Sequence, residues 1–382
     1  MFAWDSIAIR PDGKIIPCCA FSGSSSVELS TDISTPGSNI RNHPEWIQLR
    51  KNMLNGIKVD SCKSCYQRES QGHFSLRTRY TEKATLPATT EALPLRYIEA
   101  NFSNLCNLAC VHCNANSSST WGAQDYKFGR LKHRHALIEH NIPLEQLDLN
   151  QVTELKIIGG EPFMEQRRFA DLMEKLDLPN LTLRISTNGT MLPNDRLKYL
   201  IDQCQRVFIT VSLDGIYQTS DWFRWPSKFN QIQEVMTQFE NWWGDNNKYN
   251  LFIKNCVNLY NIWTMDQFVN YTNQHHPQWK VYFDFVTTPT WQDICLMTDT
   301  LKQMMKLKLQ SWHDTIEVNV DSQAGNPFLR ALNHLDGTTR STWQEFQQHT
   351  TRLGQERNID AFEMIPELGA VVKMSPRTCN NI

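Results

Sequence analysis

The stretch CNLACVHCNA places Cys106, Cys110 and Cys113 within eight residues, at gaps of three and two. Thiolates are nucleophiles and soft metal ligands. A structural zinc ion wants four protein ligands, so three from one loop leave it short unless water or a distant residue completes it. A 4Fe–4S cluster takes cysteines from a single loop and has four irons to cover. Three thiols then leave one iron open, and an open iron can chelate a substrate or cofactor. Stopping at three makes chemical sense where the last ligand is exchangeable.

A second set precedes it: Cys18, Cys19, Cys62 and Cys65. Four thiols close a zinc site or a second iron–sulfur cluster. Adjacent residues of a regular strand point to opposite faces, so Cys18 and Cys19 both reach one cluster only if the chain turns sharply there. Cys62, Cys65 and one of the pair are therefore the expected ligands, and the other of the pair is open. The chain has 11 cysteines. Outside the two sets, Cys204, Cys256, Cys295 and Cys379 are expected as buried small hydrophobes, with Cys256 and Cys295 near late strands. Clustered thiols in a reducing compartment point to metal or redox chemistry rather than disulfides. The start, MFAWDSIAIRPDGK, lacks a basic segment followed by an apolar one, and the expected location is cytoplasmic.

These groups need a scaffold. A chain of 382 residues with 40% hydrophobic and 20% charged residues is long enough for a large core. Its net charge of −2 gives no sign of a nucleic-acid binder, and no apolar stretch is long enough for a membrane span. The locally basic run RLKHRH (130–135) is read as a solvated helix face. IAIRPDGKIIPCC reads as strand, turn, strand, with the turn at Pro11-Asp12-Gly13. SGSSS (22–26) reads as a loop, HPEWIQLRKNMLNG (43–56) as a helix, and the polar stretch 81–94 as a linker. From residue 95 strands alternate with helices. The strands are expected at 95–100, 154–159, 181–186, 206–213, 251–257 and 280–286, with helices around 119–140, 164–176, 193–204, 228–243 and 263–274. Six such units predict an α/β fold, a partial (β/α)6 TIM-like barrel over residues 95–290. It is preceded by a small cysteine-rich domain over 1–80 and followed by a mainly helical extension over 291–382.

In a parallel barrel, reactive groups sit at the C-terminal ends of strands. The first strand runs into the cysteine loop. The second ends in GGEP (159–162), where two glycines let backbone approach a ligand and Glu161 can accept from an ammonium group. The third ends in STNG (186–189) and the fourth in SLDG (212–215).

C-x-x-x-C-x-x-C after the first strand, together with GGEP after the second, resembles the radical S-adenosylmethionine (radical SAM) superfamily over residues 95–290. The resemblance implies that Cys106, Cys110 and Cys113 ligate a 4Fe–4S cluster whose open iron binds the amino and carboxylate groups of S-adenosylmethionine. It implies cofactor-binding roles for Gly159, Gly160, Glu161 and Pro162 at the methionine amino group, for Ser186 and Asn188 near the ribose, for Ser212 and Asp214 on the fourth strand end, and for Arg224 at the carboxylate. His112 stands where the family commonly has an aromatic residue against the adenine. The N-terminal cysteines resemble the auxiliary-cluster segments called twitch or SPASM domains, which usually follow the radical core and here precede it.

The implied activity is reductive cleavage of S-adenosylmethionine to a 5′-deoxyadenosyl radical, which takes a hydrogen atom from a peptide or protein. A small-molecule substrate, or a non-catalytic iron–sulfur or zinc protein on the same scaffold, are the rival readings. An electron donor such as flavodoxin or ferredoxin is implied as partner. No catalytic residue beyond the cofactor site is legible.

Overall fold

A computed structural model of the chain describes residues 2–21, 40–70, 75–81, 87–133, 137–139, 147–320 and 325–374. The SGSSS loop and Cys379 lie outside the described residues. One sheet holds eight strands in the order β2-β1-β3-β4-β5-β6-β7-β8. They are β1 Ser6–Ile9, β2 Ile15–Ile16, β3 Tyr97–Asn101, β4 Glu154–Ile158, β5 Thr182–Thr187, β6 Arg206–Ser212, β7 Tyr249–Val257 and β8 Lys280–Phe285. The last six are the strands read from sequence, and helices alternate with them as a partial TIM-like barrel requires. β3 pairs β4, β4 pairs β5 and β7 pairs β8 in parallel. β1 and β2 form the antiparallel hairpin, and Gly13 supplies its left-handed turn residue at φ 83°. Beyond the sequence reading, β1 also pairs β3 in parallel, with Ser6 opposite Tyr97. The cysteine-rich segment thus extends the sheet.

Two compact units are present. The first comprises Met1–Cys106, Ala136–Ser186 and Pro193–Phe208. β4 and β5 alternate strictly, so that Leu155, Ile157, Leu183 and Ile185 are almost fully buried. The helix Gln166–Met173 buries Phe169, Leu172 and Met173, a helical period on one face. Each such buried side chain contributes about 1.5–3 kcal/mol. The opposite strand face is charged, with Lys156, Arg184 and Glu154 half-buried and Glu99 buried. There Lys156 pairs with Glu99 at 2.8 Å and Arg184 with Glu154 at 2.5 Å.

The second unit comprises Asn107–His135, Thr187–Leu192 and Ile209–Ile382. Ile253, Val257, Val281 and Phe283 are buried on one face of β7 and β8. Lys254 and Cys256 lie opposite Tyr282 and Asp284 on the other, and Lys254 pairs with Asp284 at 3.1 Å. Beyond β8 the chain is helical, as expected: Asp299–Thr315, Pro327–Leu335, Trp343–Arg357 and Pro366–Met374. A capping box between Thr342 and Glu345 starts the third of these. The helix after β3 is shorter than the sequence pattern indicated, Ser119–Lys127 rather than reaching 140. Gly129, at φ 72°, takes the left-handed conformation that ends helices. The described part of the basic run, residues 130–133, is accordingly irregular, not the helix face expected.

Candidate active site

In the first unit, β4 runs into Gly159-Gly160-Glu161-Pro162. Gly159 adopts φ +138°, and a Cβ there would meet Asn101 Oδ1 at 2.4 Å. A Cβ on Gly160 would lie 2.1 Å from the carbonyl oxygen of Leu105. Only glycine lets this strand end lie against residues 103–105, directly before Cys106. The seam is hydrogen-bonded: Gly160 N–H donates to Ser103 at 3.2 Å and Glu161 N–H to Leu105 at 2.7 Å. Glu161 is 1% exposed, and its carboxylate accepts the Phe163 N–H at 3.1 Å as the cap of the turn that Pro162 begins. Ser186 sits half-buried on the polar face of β5.

In the second unit, the cysteine loop has little secondary structure of its own, so its backbone groups need partners from elsewhere. Ala109 N–H donates to Trp225 at 2.8 Å and Val111 N–H to Phe223 at 3.0 Å. The carbonyls of Leu108, Ala109, Cys110 and Val111 accept from Ser118 Oγ, Arg357 Nη2, Trp121 Nε1 and Gln292 Nε2, at 2.5, 2.6, 2.7 and 2.8 Å. Arg357 also lies over the rings of Trp121, Trp222 and Trp225. Cys110 is buried and Cys113 half-buried, and Cys106, at the edge of the first unit, is buried.

Arg224 is not on the surface. Its guanidinium reaches Asp214 Oδ2 at 2.5 Å and the sulfur of Cys110 at 3.6 Å. Burial works against its charge, but the Asp214 carboxylate and the sulfurs of Cys110 and Cys256 hold the proton more firmly still. Asp214 also accepts the Cys256 N–H at 2.8 Å, which ties this pair to β7. Ser212 sits half-buried at the end of β6, two residues earlier. His112 lies nearly flat on Phe223, with centroids 4.9 Å apart and planes at 22°. Burial takes its pKa down to about 4, so the ring is neutral at pH 7. Its Nδ1 is buried without a hydrogen-bond partner in the protein. Asn188 Nδ2 donates to Asn107 Oδ1 at 2.8 Å, and Asn107 donates to Thr190 Oγ1 at 2.9 Å. Asn188 is thus held beside the start of the cysteine loop.

Sequence reasoning missed Asn107, Thr190, Trp121, Gln292 and Arg357. None is a defining position of the motifs, although Asn107 lies within the cysteine stretch. Arg357 lies 248 positions from the carbonyl that it holds, and only the folded chain joins them.

The N-terminal cysteines separate into two environments. Cys18 packs with Cys62 in an apolar cluster that includes Trp4, Phe21 and Leu49. Cys62 and Cys65 both lie close enough to Cys18 to raise its pKa, which burial above all pushes up to about 12. A hydrogen bond from Ser64 Oγ to the Ala20 carbonyl, 3.0 Å, joins the two segments. The sharp turn at Cys18, closed by Phe21 N–H on its carbonyl, sends Cys19 elsewhere. Its thiol faces Glu99 and Lys156 and donates to the Glu99 carboxylate. Of the scattered cysteines, Cys204 is buried as expected, Cys256 is half-buried on the polar strand face, and Cys295 is buried beside polar groups. Among the described residues no helix is long and apolar enough to cross a membrane.

Residues 100–240 match the model of the Radical SAM superfamily. Over 124 residues the chain is 31% identical to the Fe-coproporphyrin III synthase of Methanosarcina barkeri (strain Fusaro / DSM 804), which covers 32% of this chain and 28% of that protein. The chain therefore spans little more than a quarter of the curated relative's length. Among solved structures, native anSMEcpe with bound AdoMet aligns at a TM-score of 0.39 and 16% identity, over 59% of this chain and 64% of that one. Streptococcus suis SuiB bound to precursor peptide SuiA aligns at 0.38 and 12% identity, over 75% and 67%. The matched region holds the three-cysteine loop, the GGEP seam and the Asp214–Arg224 pair, and by it this chain carries a domain of the radical SAM superfamily, whose cofactors are a 4Fe–4S cluster and S-adenosylmethionine.

Proposed function

We propose that the chain is a radical SAM enzyme that cleaves S-adenosylmethionine reductively and abstracts a hydrogen atom from a peptide or protein. The observation that carries this reading is the immobilised cysteine loop. Residues 108–111 have their carbonyls bonded to side chains drawn from positions 118 to 357. Such fixing suits a centre whose thiolates must hold one geometry through a redox change.

The residues fit the cofactors. Cys106, Cys110 and Cys113 would hold the cluster, which when bound supplies the electron that releases the 5′-deoxyadenosyl radical. Gly159 and Gly160 let the strand end lie against residues 101–105, which brings Glu161 up to the start of the cysteine loop. Glu161 offers a buried carboxylate for the methionine ammonium. Asn188 and Ser186 would orient the ribose, with Ser212 nearby in sequence to Asp214. His112, neutral and pressed on Phe223, presents a flat ring for the adenine. Arg224 is already engaged by Asp214 and Cys110, and this favours a role at the cluster sulfur over one at the cofactor carboxylate.

Cys18, Cys62 and Cys65 are proposed as ligands of a second iron–sulfur cluster, with Cys19 left to the Glu99–Lys156 pair. Burial pushes the thiol of Cys18 up to about 12 and, with Cys65 beside it, that of Cys62 up to about 11, so a bound metal must displace the protons of these two. A peptide substrate accords with the half-buried Lys254–Asp284 pair, which offers both signs of charge to a polar chain. A small-molecule substrate is the second reading, and the 31% identity to a coproporphyrin-forming synthase favours it.

The test is anaerobic reconstitution followed by assays for iron, sulfide and 5′-deoxyadenosine with dithionite and S-adenosylmethionine. About eight irons per chain with 5′-deoxyadenosine formed is the expected result. An iron-loaded chain that forms none overturns the enzymatic reading.

A further inference from the structure

Away from both cysteine sets, Asp293, Cys295 and His334 bring a carboxylate oxygen, a thiol sulfur and an imidazole nitrogen within 4.8 Å of one another. Among the described residues no other such trio is drawn together as tightly. The site is interior: Asp293 is 4% exposed and Cys295 7%. It is also built. Two short turns, Thr290–Gln292 and Ile294–Leu296, follow β8 and carry Asp293 and Cys295. Asp293 caps the second turn by accepting the Cys295 N–H at 3.0 Å. His334 comes from the helix Pro327–Leu335, with Nε2 3.0 Å from Asp293 Oδ1. Its ring stacks on Phe285 at 4.8 Å. The thiol of Cys295 donates to the His334 carbonyl at 3.0 Å, and a Cβ on Gly337 would come within 3.0 Å of that sulfur. A glycine therefore opens the space that the sulfur occupies.

Sulfur, nitrogen and carboxylate oxygen are together the donor set of zinc, whereas calcium and magnesium take oxygens. Tetrahedral zinc, with bonds of about 2.0–2.3 Å, sets its donors roughly 3.5 Å apart. The trio needs only small side-chain rotations to reach that spacing. We infer that Asp293, Cys295 and His334 bind one zinc ion, with a solvent molecule as the fourth ligand. The ion would take the place of the His334–Asp293 proton and of the thiol proton. Without it the thiol stays neutral, since burial and the Asp293 carboxylate push its pKa up to about 12.

The position gives the ion a structural task. Gln292, one residue before Asp293, holds the Val111 carbonyl of the cysteine loop at 2.8 Å, while its own carbonyl accepts the Leu259 N–H at 3.0 Å. A filled site fastens the segment that carries Gln292 to the helix that carries His334. Zinc here would act as a clip behind the cysteine loop, with solvent closing the shell that three protein ligands leave open.

The test uses the full chain, reconstituted anaerobically so that iron fills the other cysteines, then dialysed against chelator. Zinc is titrated in the presence of a chromophoric competitor, and the zinc K-edge spectrum is recorded. The expected result is one zinc per chain with one sulfur neighbour at about 2.3 Å. Cys295→Ala and His334→Gln should each weaken zinc binding by about 100-fold or more with iron content unchanged. Absence of zinc binding, or binding that survives in both variants, overturns the site and leaves a thiol–carbonyl and Asp–His hydrogen-bond pair. Should a variant lose its iron through misfolding, the wild-type spectrum decides: a zinc shell without sulfur also overturns it. Neither result bears on cofactor cleavage, which is read separately.

Discussion

The guanidinium of Arg224 lies 3.6 Å from the sulfur of Cys110 and 2.5 Å from the carboxylate of Asp214. One buried cation thus serves a carboxylate just beyond β6 and a thiol of the cysteine loop. A donor and a positive charge at a cluster sulfur stabilise the reduced state, because the added electron increases the negative charge there. Replacing Arg224 by Gln should therefore shift the midpoint potential of the site at Cys106, Cys110 and Cys113 to more negative values, read by EPR-monitored titration. The same change strands the buried Asp214 carboxylate and should cost about 3–5 kcal/mol of stability. Arg224→Lys keeps the charge, so its potential should lie between the two. An unshifted potential in Arg224→Gln with iron retained would show that the pair only holds the fold.

Gly160 has no room for a side chain, since its Cβ would stand 2.1 Å from the Leu105 carbonyl. Gly160→Ala must push residues 103–105 and, through them, Cys106. A displacement of about 1 Å at a reacting geometry costs about 100-fold in rate. The expected outcome is a loss of that order in 5′-deoxyadenosine formation, with the iron proposed at Cys18, Cys62 and Cys65 retained. Gly56, at φ +69° with open space around its Cβ position, is the control: Gly56→Ala meets only backbone strain and should leave cleavage intact.

Much of this arrangement was legible in the sequence, and the reason is locality. The six strands are short apolar runs set between helical patterns, and the cysteine spacing is set within eight residues, so neither needs tertiary information. The GGEP glycines are expected to let backbone approach a ligand; the close approach that Gly160 makes is to the chain's own Leu105. What was not legible depends on distant packing. Arg357 and Gln292 hold the cysteine loop from a helical extension that bears no motif. The pairing of β1 with β3 joins a segment that reads as a separate domain. The basic run after Lys127 fits a helical pattern, but Gly129 ends the helix before it.

The N-terminal thiols make a sharper case. Cys18 has Cys62 and Cys65 as neighbours, and Cys19 has Glu99 and Lys156. Cys19→Ala should leave the iron content at about eight per chain, while Cys18→Ala, Cys62→Ala or Cys65→Ala should lower it by about four. Each is read by iron and sulfide analysis after reconstitution. Loss of iron in Cys19→Ala would make the adjacent pair joint ligands and require the turn at Cys18 to rearrange.

Arg357 crosses from the C-terminal helices to the Ala109 carbonyl at 2.6 Å. Arg357→Ala leaves that buried carbonyl unsatisfied and strips the cation from three tryptophan faces. A cost of about 1–3 kcal/mol is expected for the carbonyl alone. The protein should unfold at lower urea, and its cluster should be lost faster in air, since the loop is less firmly closed. Wild-type rates of bleaching in Arg357→Ala would remove the helical extension from the cysteine loop's support.

His112 makes stability depend on pH in a window set by its own shift. Unfolded, the imidazole titrates near 6.5, and in the folded chain burial holds it down to about 4. Between those values the unfolded state binds the proton that the folded state refuses, so stability falls as pH drops through the window and is unaffected by this group above it. His112→Phe keeps a ring on Phe223 and removes the proton site. Carboxylates also titrate in this range, so the informative quantity is the difference between the two proteins in urea midpoint from pH 7 to pH 4. The variant should lose less stability than the wild type over that interval and match it in slope above pH 7. Equal losses would place the ring in water when free, and would take from it the dry stacking surface on which its proposed adenine contact depends.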